Sequence, residues 1–134
     1  MTATVSIVPN LLVHDGPVAI AWYREAFGAA VAFRIEEGAE VFAMLTIGEA
    51  RFFVATESPE HGNPGPRTLG GSGVRIDLLS DDPDTLHARA VEAGGTEISP
   101  VRDEEAGPRM GVVHDPFGHT WLIGALWDPR DGNS

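Results

Sequence analysis

The sequence repeats one pattern twice, and this repeat constrains the fold more than any other feature. Two helical segments each begin at an aspartate followed within two residues by proline, and these aspartates, Asp15 and Asp82, lie 67 positions apart. The glycines that end the segments, Gly28 and Gly94, lie 66 positions apart. Aspartate caps the free N–H groups at a helix start, proline fits the first turn, and glycine adopts the left-handed conformation that ends many helices. A nearly constant offset between matching signals indicates an internal duplication.

Each helical segment lies between runs in which apolar and polar residues alternate as they do in strands. In the first copy a strand is expected from Thr4, and three more follow the helix at 31–36, 41–47 and 51–56. In the second copy the strands are expected at 74–79, 96–99, 110–114 and 119–125. Three short strands after each helix argue against a doubly wound parallel sheet. The order predicts an α+β fold of two tandem βαβββ modules.

The two modules are expected to form one domain over residues 1–134, since this length suits one ordinary domain. Module one is expected at 4–56 and module two at 74–126. Residues 57–73 are rich in proline and glycine and are predicted to be a linker. Strand alternation places one apolar set on a single side of the first strands, the side expected to be buried; it consists of Val5, Ile7, Leu11, Val13, Val74, Ile76 and Leu78.

Composition excludes several classes of function. The chain has 20 acidic against 9 basic residues, for a formal net charge of −11, which disfavours binding to nucleic acids and to anionic membranes. The absence of cysteine excludes disulfides, thiolate metal ligands and a cysteine nucleophile. The sequence has no signal-like start and no apolar run of membrane-spanning length, so a soluble cytoplasmic protein is expected.

Three stretches carry a resemblance to a known family: Val8–Asp15, the helical run Ala19–Gly28, and 107–121, which contains an Asp-Pro-Phe-Gly turn followed by His-Thr-Trp. From about residue 5 to about residue 125 the sequence resembles the vicinal-oxygen-chelate (glyoxalase/bleomycin resistance protein/dioxygenase) superfamily, and within it the small PhnB-like proteins. The resemblance implies that each module curls into half of a cup, a curved mixed sheet with its helix on the convex side. Two halves then close a cleft, either within the chain or across a homodimer.

Metal-dependent members of this superfamily hold a divalent ion through His or Gln on the first strand of each module and Glu on the last. The resemblance places three of these positions at Val8, Arg75 and Leu122, and the fourth near Phe53. Aliphatic and phenyl side chains have no donor atom, and a guanidinium is a permanent cation. The expectation is therefore a site without a metal and without any other cofactor.

Arg75 and Asp77 are the candidate catalytic residues. They lie two positions apart on one strand and so point to the same side, which the resemblance makes the concave face. Two interpretations stay open, because the pair either satisfies itself as a structural ion pair or recognises a ligand. Asn10 on the matching strand of module one adds a neutral donor and acceptor. The expected ligand-binding set is Asn10, Phe53, Arg75, Asp77, Met110 and Trp121.

Two functions from different classes follow. The first is a metal-independent binding protein of the bleomycin-resistance type, which holds an aromatic or cationic small molecule in its cleft and pairs as a homodimer. The second is a lyase or isomerase acting on a small carbonyl compound, with Asp77 as general base and Arg75 stabilising an oxyanion. That enzyme would work with or without a divalent-metal site rebuilt from His114 or His119, which flank the Asp-Pro-Phe-Gly turn.

Overall fold

The structure, a computed structural model, describes residues 3–128 and residue 130 and confirms the two tandem βαβββ modules. A short 3₁₀ turn at Pro59–His61 and a one-turn helix lie between the modules. The strands and helices are β1 Asn10–Val13, α1 Gly16–Phe27, β2 Ala30–Glu37, β3 Glu40–Ile47, β4 Ala50–Thr56, α2 Pro66–Leu69, β5 Arg75–Ser80, α3 Pro83–Glu92, β6 Thr96–Arg102, β7 Met110–His114 and β8 Thr120–Ala125.

Each module forms its own four-stranded mixed sheet. The strand orders are β1-β4-β3-β2 and β5-β8-β7-β6, so the first strand of each module is an edge strand. β1 runs parallel to β4, and β5 runs parallel to β8, while the remaining neighbours are antiparallel. Asn10 pairs with Phe53 in the first sheet, and Asp77 pairs with Leu122 in the second. The duplicated sequence therefore gives two equivalent edges.

The predicted helix signals have the expected geometry. The Asp15 carboxylate accepts a hydrogen bond from the backbone N–H of Val18 at 3.2 Å, and Asp82 caps Thr85 in the same way at 3.2 Å. Gly28 ends α1 with φ 68°, a conformation that side chains with a Cβ rarely adopt. The caps fix where both helices begin, so the same sequence signal sets the same local structure twice.

A shared aromatic core joins the modules. Trp121 on β8 of module two is 1% exposed, and its ring centroid lies 4.7 Å from that of Phe27 on α1. Its ring also meets Tyr23 and Phe52 of module one, each at 5.7 Å. Close contacts between large rings remove much apolar surface from water and favour tilted or edge-on geometries. The two modules therefore share one hydrophobic core.

A buried carboxylate lies beside this core. Asp115, 5% exposed, accepts hydrogen bonds from the Tyr23 hydroxyl at 2.5 Å and from the Trp121 indole N–H at 2.9 Å. Its other oxygen accepts from the backbone N–H groups of Phe117 and His119, both at 2.9 Å. Burial, together with the neighbouring Asp115 charge, raises the pKa of the Tyr23 hydroxyl well above its ordinary value. Four donors thus satisfy one buried charge, and one of them comes from the other module.

Two further hydrogen bonds connect the helices of the modules. The Trp22 indole N–H on α1 donates to the Ala93 carbonyl at the end of α3, at 3.0 Å. In the reverse direction, Arg89 Nε on α3 donates to the Glu25 carbonyl in the last turn of α1, at 2.7 Å. A cation at a helix C-terminus also interacts favourably with the helix dipole. These bonds fix the orientation of the two modules.

Part of the predicted buried set is exposed. Leu11, Val13 and Leu78 are buried as expected, but Val5 is 82% and Ile7 is 93% exposed. The pairing of β1 with β4 explains this difference, because both residues precede its first residue pair, Asn10 and Phe53. In the same way, the exposed Val74 precedes the first residue pair of β5 and β8. Alternation alone did not show at which residue the pairing of each first strand with its neighbour begins.

The segment between the modules is ordered and packed rather than a free linker. Glu57 accepts hydrogen bonds from the Gly65 N–H at 3.3 Å and from the Thr68 hydroxyl. Gly65 packs against the Leu12 carbonyl, and Gly118 packs against Pro66. A Cβ atom added to Gly65 or to Gly118 would lie within 3.0 Å of that neighbour. These contacts hold α2 against β1 and the Asp-Pro-Phe-Gly turn. None of the helices in residues 3–128 is both long and apolar enough to cross a membrane.

Candidate functional site

The main cavity found in the described chain has a volume of about 660 Å³ and lies between the two edge strands β1 and β5. We call it the seam pocket. The segment before β1 and the α2 region complete its walls, so both modules and the connecting segment contribute. Its apolar lining includes Ile7, Leu11, Leu12, Pro64, Pro66, Leu69, Val74 and Ile76, and its polar lining includes Asn10, Ser72, Arg75, Asp77 and His119.

Three of the predicted site residues come together here. Asn10 on β1 and both Arg75 and Asp77 on β5 line the seam pocket, and all three are exposed. Within residues 3–128 and 130, Arg75 and Asp77 form no ion pair with each other or with a third side chain. The structural ion pair considered from the sequence is therefore not formed. Two side chains of opposite charge, whose Cα atoms lie about 7 Å apart along the strand, stay available at the edge of an apolar cavity.

His119 also lines the seam pocket, although the sequence suggested it only as a metal ligand or a turn residue. It directly follows the Asp-Pro-Phe-Gly turn, and its side chain is largely buried, with 7% exposure. Its Nε2 lies 2.9 Å from the backbone carbonyl oxygen of Leu12 on β1. This hydrogen bond crosses the seam from module two to module one. In the sequence, His119 directly follows the Asp-Pro-Phe-Gly turn, and this position is the signal that could have found it. The fold brings this turn next to β1.

The connecting segment was also missed as part of the site. Pro66 is buried against Gly118, and Leu69 at the end of α2 is 66% exposed beside the pocket. The Arg67 guanidinium lies 2.8 Å from His14 Nε2, which anchors α2 to the start of α1. A proline- and glycine-rich composition predicts irregular structure but not which surface that structure covers. Here it covers one side of the cavity.

Two predicted ligand-binding residues lie outside the seam pocket lining. Phe53 is half-buried on the sheet face that it shares with Asn10, and its ring lies 5.0 Å from that of Phe42. Phe33 completes an aromatic group on this face, at 5.8 Å from Phe42. Met110 is half-buried on β7, opposite Gly124 of β8. Both residues therefore lie on strands away from the β1–β5 seam.

The structure places Trp121 in the core instead of on a cleft wall. Its ring packs against Phe27 and Phe52, and its indole N–H donates to Asp115. A buried tryptophan needs an acceptor for this N–H, and Asp115 supplies one at 2.9 Å. The expectation that Trp121 contacts a ligand is corrected on these grounds, since no ligand can reach a side chain that is 1% exposed.

The positions at which metal-dependent relatives carry ligands do not fit a metal in this chain. Phe53 lies on the last strand of module one and pairs with Asn10. Leu122 occupies the equivalent place on the last strand of module two and pairs with Asp77. Neither offers a donor atom, and Leu122 is 7% exposed. Val8, which precedes β1, and Arg75 on β5 offer no ligand either. No metal-dependent step is therefore assigned to this site.

The two histidines beside the turn do not form an alternative metal site. His114 pairs with Thr120 across the β7–β8 hairpin, so it shares a face with Thr120, whereas the adjacent His119 points to the opposite face. His114 is exposed, while the His119 ring contacts Leu12. In the described ranges, no three His, Asp or Glu side chains come close enough together to hold a metal ion.

Comparison with known proteins places the chain in a family. The profile of the Glyoxalase/Bleomycin resistance protein/Dioxygenase superfamily matches residues 5–123. An uncharacterized protein of Mycobacterium bovis is 35% identical over 124 residues, covering 89% of this chain and 82% of that protein.

Solved structures share the fold. The Arabidopsis thaliana gene product At5g48480 superposes with a TM-score of 0.72 at 29% identity, covering 91% of this chain and 99% of that one. The fosfomycin resistance protein FosX of Listeria monocytogenes superposes with a TM-score of 0.67 at 14% identity, covering 99% and 100%. The family profile covers most of the chain, and the tandem βαβββ modules agree with it. The chain belongs to the Glyoxalase/Bleomycin resistance protein/Dioxygenase superfamily.

Proposed function

We propose that this protein binds a small aromatic or cationic molecule in the seam pocket without using a metal ion. The observation that carries the proposal is the pocket itself, an apolar cavity of about 660 Å³ into which Asn10, Arg75 and Asp77 contribute polar groups. Small-molecule sites are usually cavities of roughly 300–1,000 Å³ with mostly apolar walls and a few orienting polar groups. The seam pocket has this size and this composition.

The charges at the pocket support a division of roles. The net charge of −11 attracts cationic molecules to the protein surface as a whole. At the pocket, the unpaired Asp77 carboxylate can accept a hydrogen bond from a ligand cation, whereas Arg75 can orient an anionic or carbonyl group. The apolar wall formed by Leu12 and Leu69 contributes contact area for a flat ring system. Attraction thus comes from the whole surface, and orientation from the two strand residues.

Binding fits the geometry better than the alternative lyase or isomerase. A carboxylate that serves as a general base near neutral pH usually lies in a site from which water is excluded. Asp77 is exposed at the pocket, so this feature of a general base is missing. The metal-ligand positions also lack donor atoms. We therefore propose sequestration of a toxic compound as the biological form of binding.

The proposal includes a homodimer. Val5, Ile7, Leu69 and Val74 are all more than half exposed, and the last three line the seam pocket. An apolar group of this kind usually marks an interaction surface. Each sheet also has free edge strands, which proteins commonly cover by pairing. A second copy would remove this apolar surface from water.

The test of binding uses calorimetric titration with a panel of flat probes: an acridinium cation, a naphthoate anion and neutral naphthalene derivatives. We expect saturable binding of the cation, weakened by Asp77→Asn by about 1.5–3 kcal/mol, the range for a hydrogen bond to a charged group. The control is Asp81→Asn, which removes the same charge from an exposed residue beyond the end of β5. If the two variants weaken binding equally, Asp77 does not contact the ligand.

A second pair of variants tests the location. Leu69→Asp places a charge on the pocket wall without disturbing the core, because Leu69 is 66% exposed. Ile98→Asp makes the same change at a residue of β6 that is 53% exposed and lies outside the pocket lining. Loss of binding in the Leu69 variant alone, with the mass in light scattering unchanged from the wild-type protein, supports the seam pocket. Equal effects of both, or no saturable binding of any probe, would contradict the proposed function.

A further inference from the structure

The tautomer of His119 follows from its hydrogen bond. Its Nε2 lies 2.9 Å from the Leu12 carbonyl oxygen, which has no proton to donate. A hydrogen bond between these atoms therefore requires a proton on Nε2. In the neutral ring the other nitrogen, Nδ1, then carries a lone pair and can only accept a hydrogen bond. The backbone of β1 thus decides which ring nitrogen of His119 is the acceptor.

This acceptor belongs to a residue of the seam pocket lining. Among the described residues, Nδ1 of His87 is the only fully buried side-chain polar atom without a hydrogen-bond partner. Nδ1 of His119 has no hydrogen-bond partner in the described chain either, so it must reach solvent. His119 lines the seam pocket, and the rest of its side chain is almost fully buried. The accessible part of His119 is therefore small.

The surroundings of His119 hold this acceptor in a fixed position. Its backbone N–H donates to the Asp115 carboxylate at 2.9 Å, and its backbone carbonyl accepts from the Asp115 N–H at 2.9 Å. The bond from the ring to Leu12 fixes the side-chain torsions. A group that is already ordered loses little conformational entropy when it binds a ligand. By contrast, Asn10, Arg75 and Asp77 are exposed and must be ordered on binding.

We propose that His119 is a specificity-determining residue of the seam pocket, whose Nδ1 accepts a hydrogen bond from an O–H or N–H group of the ligand. This inference rests on the proposed function and adds a ligand class to it, namely ring compounds with a hydrogen-bond donor such as phenols and aryl amides. A partly buried acceptor that loses its water without gaining a donor costs free energy. Compounds with a methoxy group in place of the hydroxyl are therefore rejected.

The experiment compares hydroxyl and methoxy partners of one ring system. We titrate the protein with 2-naphthol and 2-methoxynaphthalene, and with 7-hydroxycoumarin and 7-methoxycoumarin. For at least one pair we expect a preference of about ten-fold for the hydroxyl compound, the scale of one satisfied hydrogen bond. His119→Phe keeps an aromatic ring at this position and has no acceptor atom. In this variant the preference is expected to disappear, while the affinity for the methoxy compound stays the same.

A second measurement does not depend on a variant that folds. Long-range ¹⁵N–¹H NMR spectra of the wild-type protein report which ring nitrogen of His119 carries the proton. We expect a proton on Nε2 and a lone pair on Nδ1, and a shift of the Nδ1 resonance when 2-naphthol binds. A proton on Nδ1 in the free protein overturns the inference.

The outcomes separate the inference from the proposed function. If the hydroxyl and methoxy compounds bind the wild-type protein equally, His119 does not select the ligand, but the pocket still binds small molecules. If none of the four compounds and none of the charged probes binds, the proposed function fails and the inference fails with it.

Discussion

The buried Asp115 carboxylate gives the sharpest test of how the two modules are joined. Asp115→Asn keeps the size of the side chain and removes its charge. If the amide oxygen takes over the two backbone N–H groups, the amide nitrogen faces the Tyr23 hydroxyl and the Trp121 indole N–H. The hydroxyl can rotate and become an acceptor, but the indole is a donor only. At least one buried donor then loses its partner.

The expected loss of stability follows from these contacts. Hydrogen bonds to a charged group contribute about 1.5–3 kcal/mol, and a buried donor without a partner costs about 1–3 kcal/mol. Because several contacts change at once, we expect Asp115→Asn to lower the free energy of unfolding by about 3–5 kcal/mol. Tyr23→Phe removes only one of the four donors and is expected to cost about 1.5–3 kcal/mol.

The assay is urea unfolding followed by tryptophan fluorescence, with the free energy obtained by linear extrapolation. The control is Asp84→Asn, which removes a surface ion pair with Arg109. Exposed pairs contribute little, so this control is expected to stay close to the wild-type protein. If Asp115→Asn destabilises no more than the control does, the carboxylate does not hold the modules together, and the account of the core is wrong.

Three further predictions concern alkali, assembly and metals. Tyr23 is the only tyrosine, and burial raises its pKa, so its neutral form stabilises the fold. Stability should therefore fall as pH rises above the ordinary tyrosine pKa, and tyrosinate absorbance should appear only with unfolding; titration of the phenol in the folded protein would contradict this. Light scattering should give about twice the chain mass of 14.3 kDa, and a strictly monomeric mass would exclude the dimer. Elemental analysis after growth with zinc, nickel and iron should show well below one metal per chain; one tightly bound equivalent would reopen the metal assignment.

Much of the fold could be predicted because local signals and tertiary structure agree. Asp15 and Asp82 cap helices wherever they lie in space, since each needs only the N–H groups three residues further along its own chain. The 67-residue offset then extends the assignment from one module to the other. Signals that act within a few residues keep their effect in the folded protein, so the predicted βαβββ order was correct in both modules.

The errors arose where the deciding partner is distant in sequence. Trp121 resembles a cleft aromatic in the sequence, but its indole N–H finds Asp115, which is buried only after Tyr23 of module one covers it. The alternation at Val5 and Ile7 is real, yet it carries no information about where the pairing of β1 with β4 begins. Both depend on which residues another strand or module places nearby. Such long-range contacts leave only a weak signal in a single sequence.

The candidate site shows the same division more clearly. Strand periodicity predicts that Arg75 and Asp77 point to one side, because this needs only the local backbone. It does not predict His119, whose importance depends on the Leu12 carbonyl, 107 residues away in sequence. Each module also carries only part of the pocket, so neither copy of the repeat contains the site on its own. Duplication produced two similar edges that differ in the residues they contribute to the seam pocket. These are apolar Leu12 and neutral Asn10 on β1, and Arg75 and Asp77 on β5. A pocket at such an edge can change its ligand by substitutions in either module while the shared core around Trp121 stays intact.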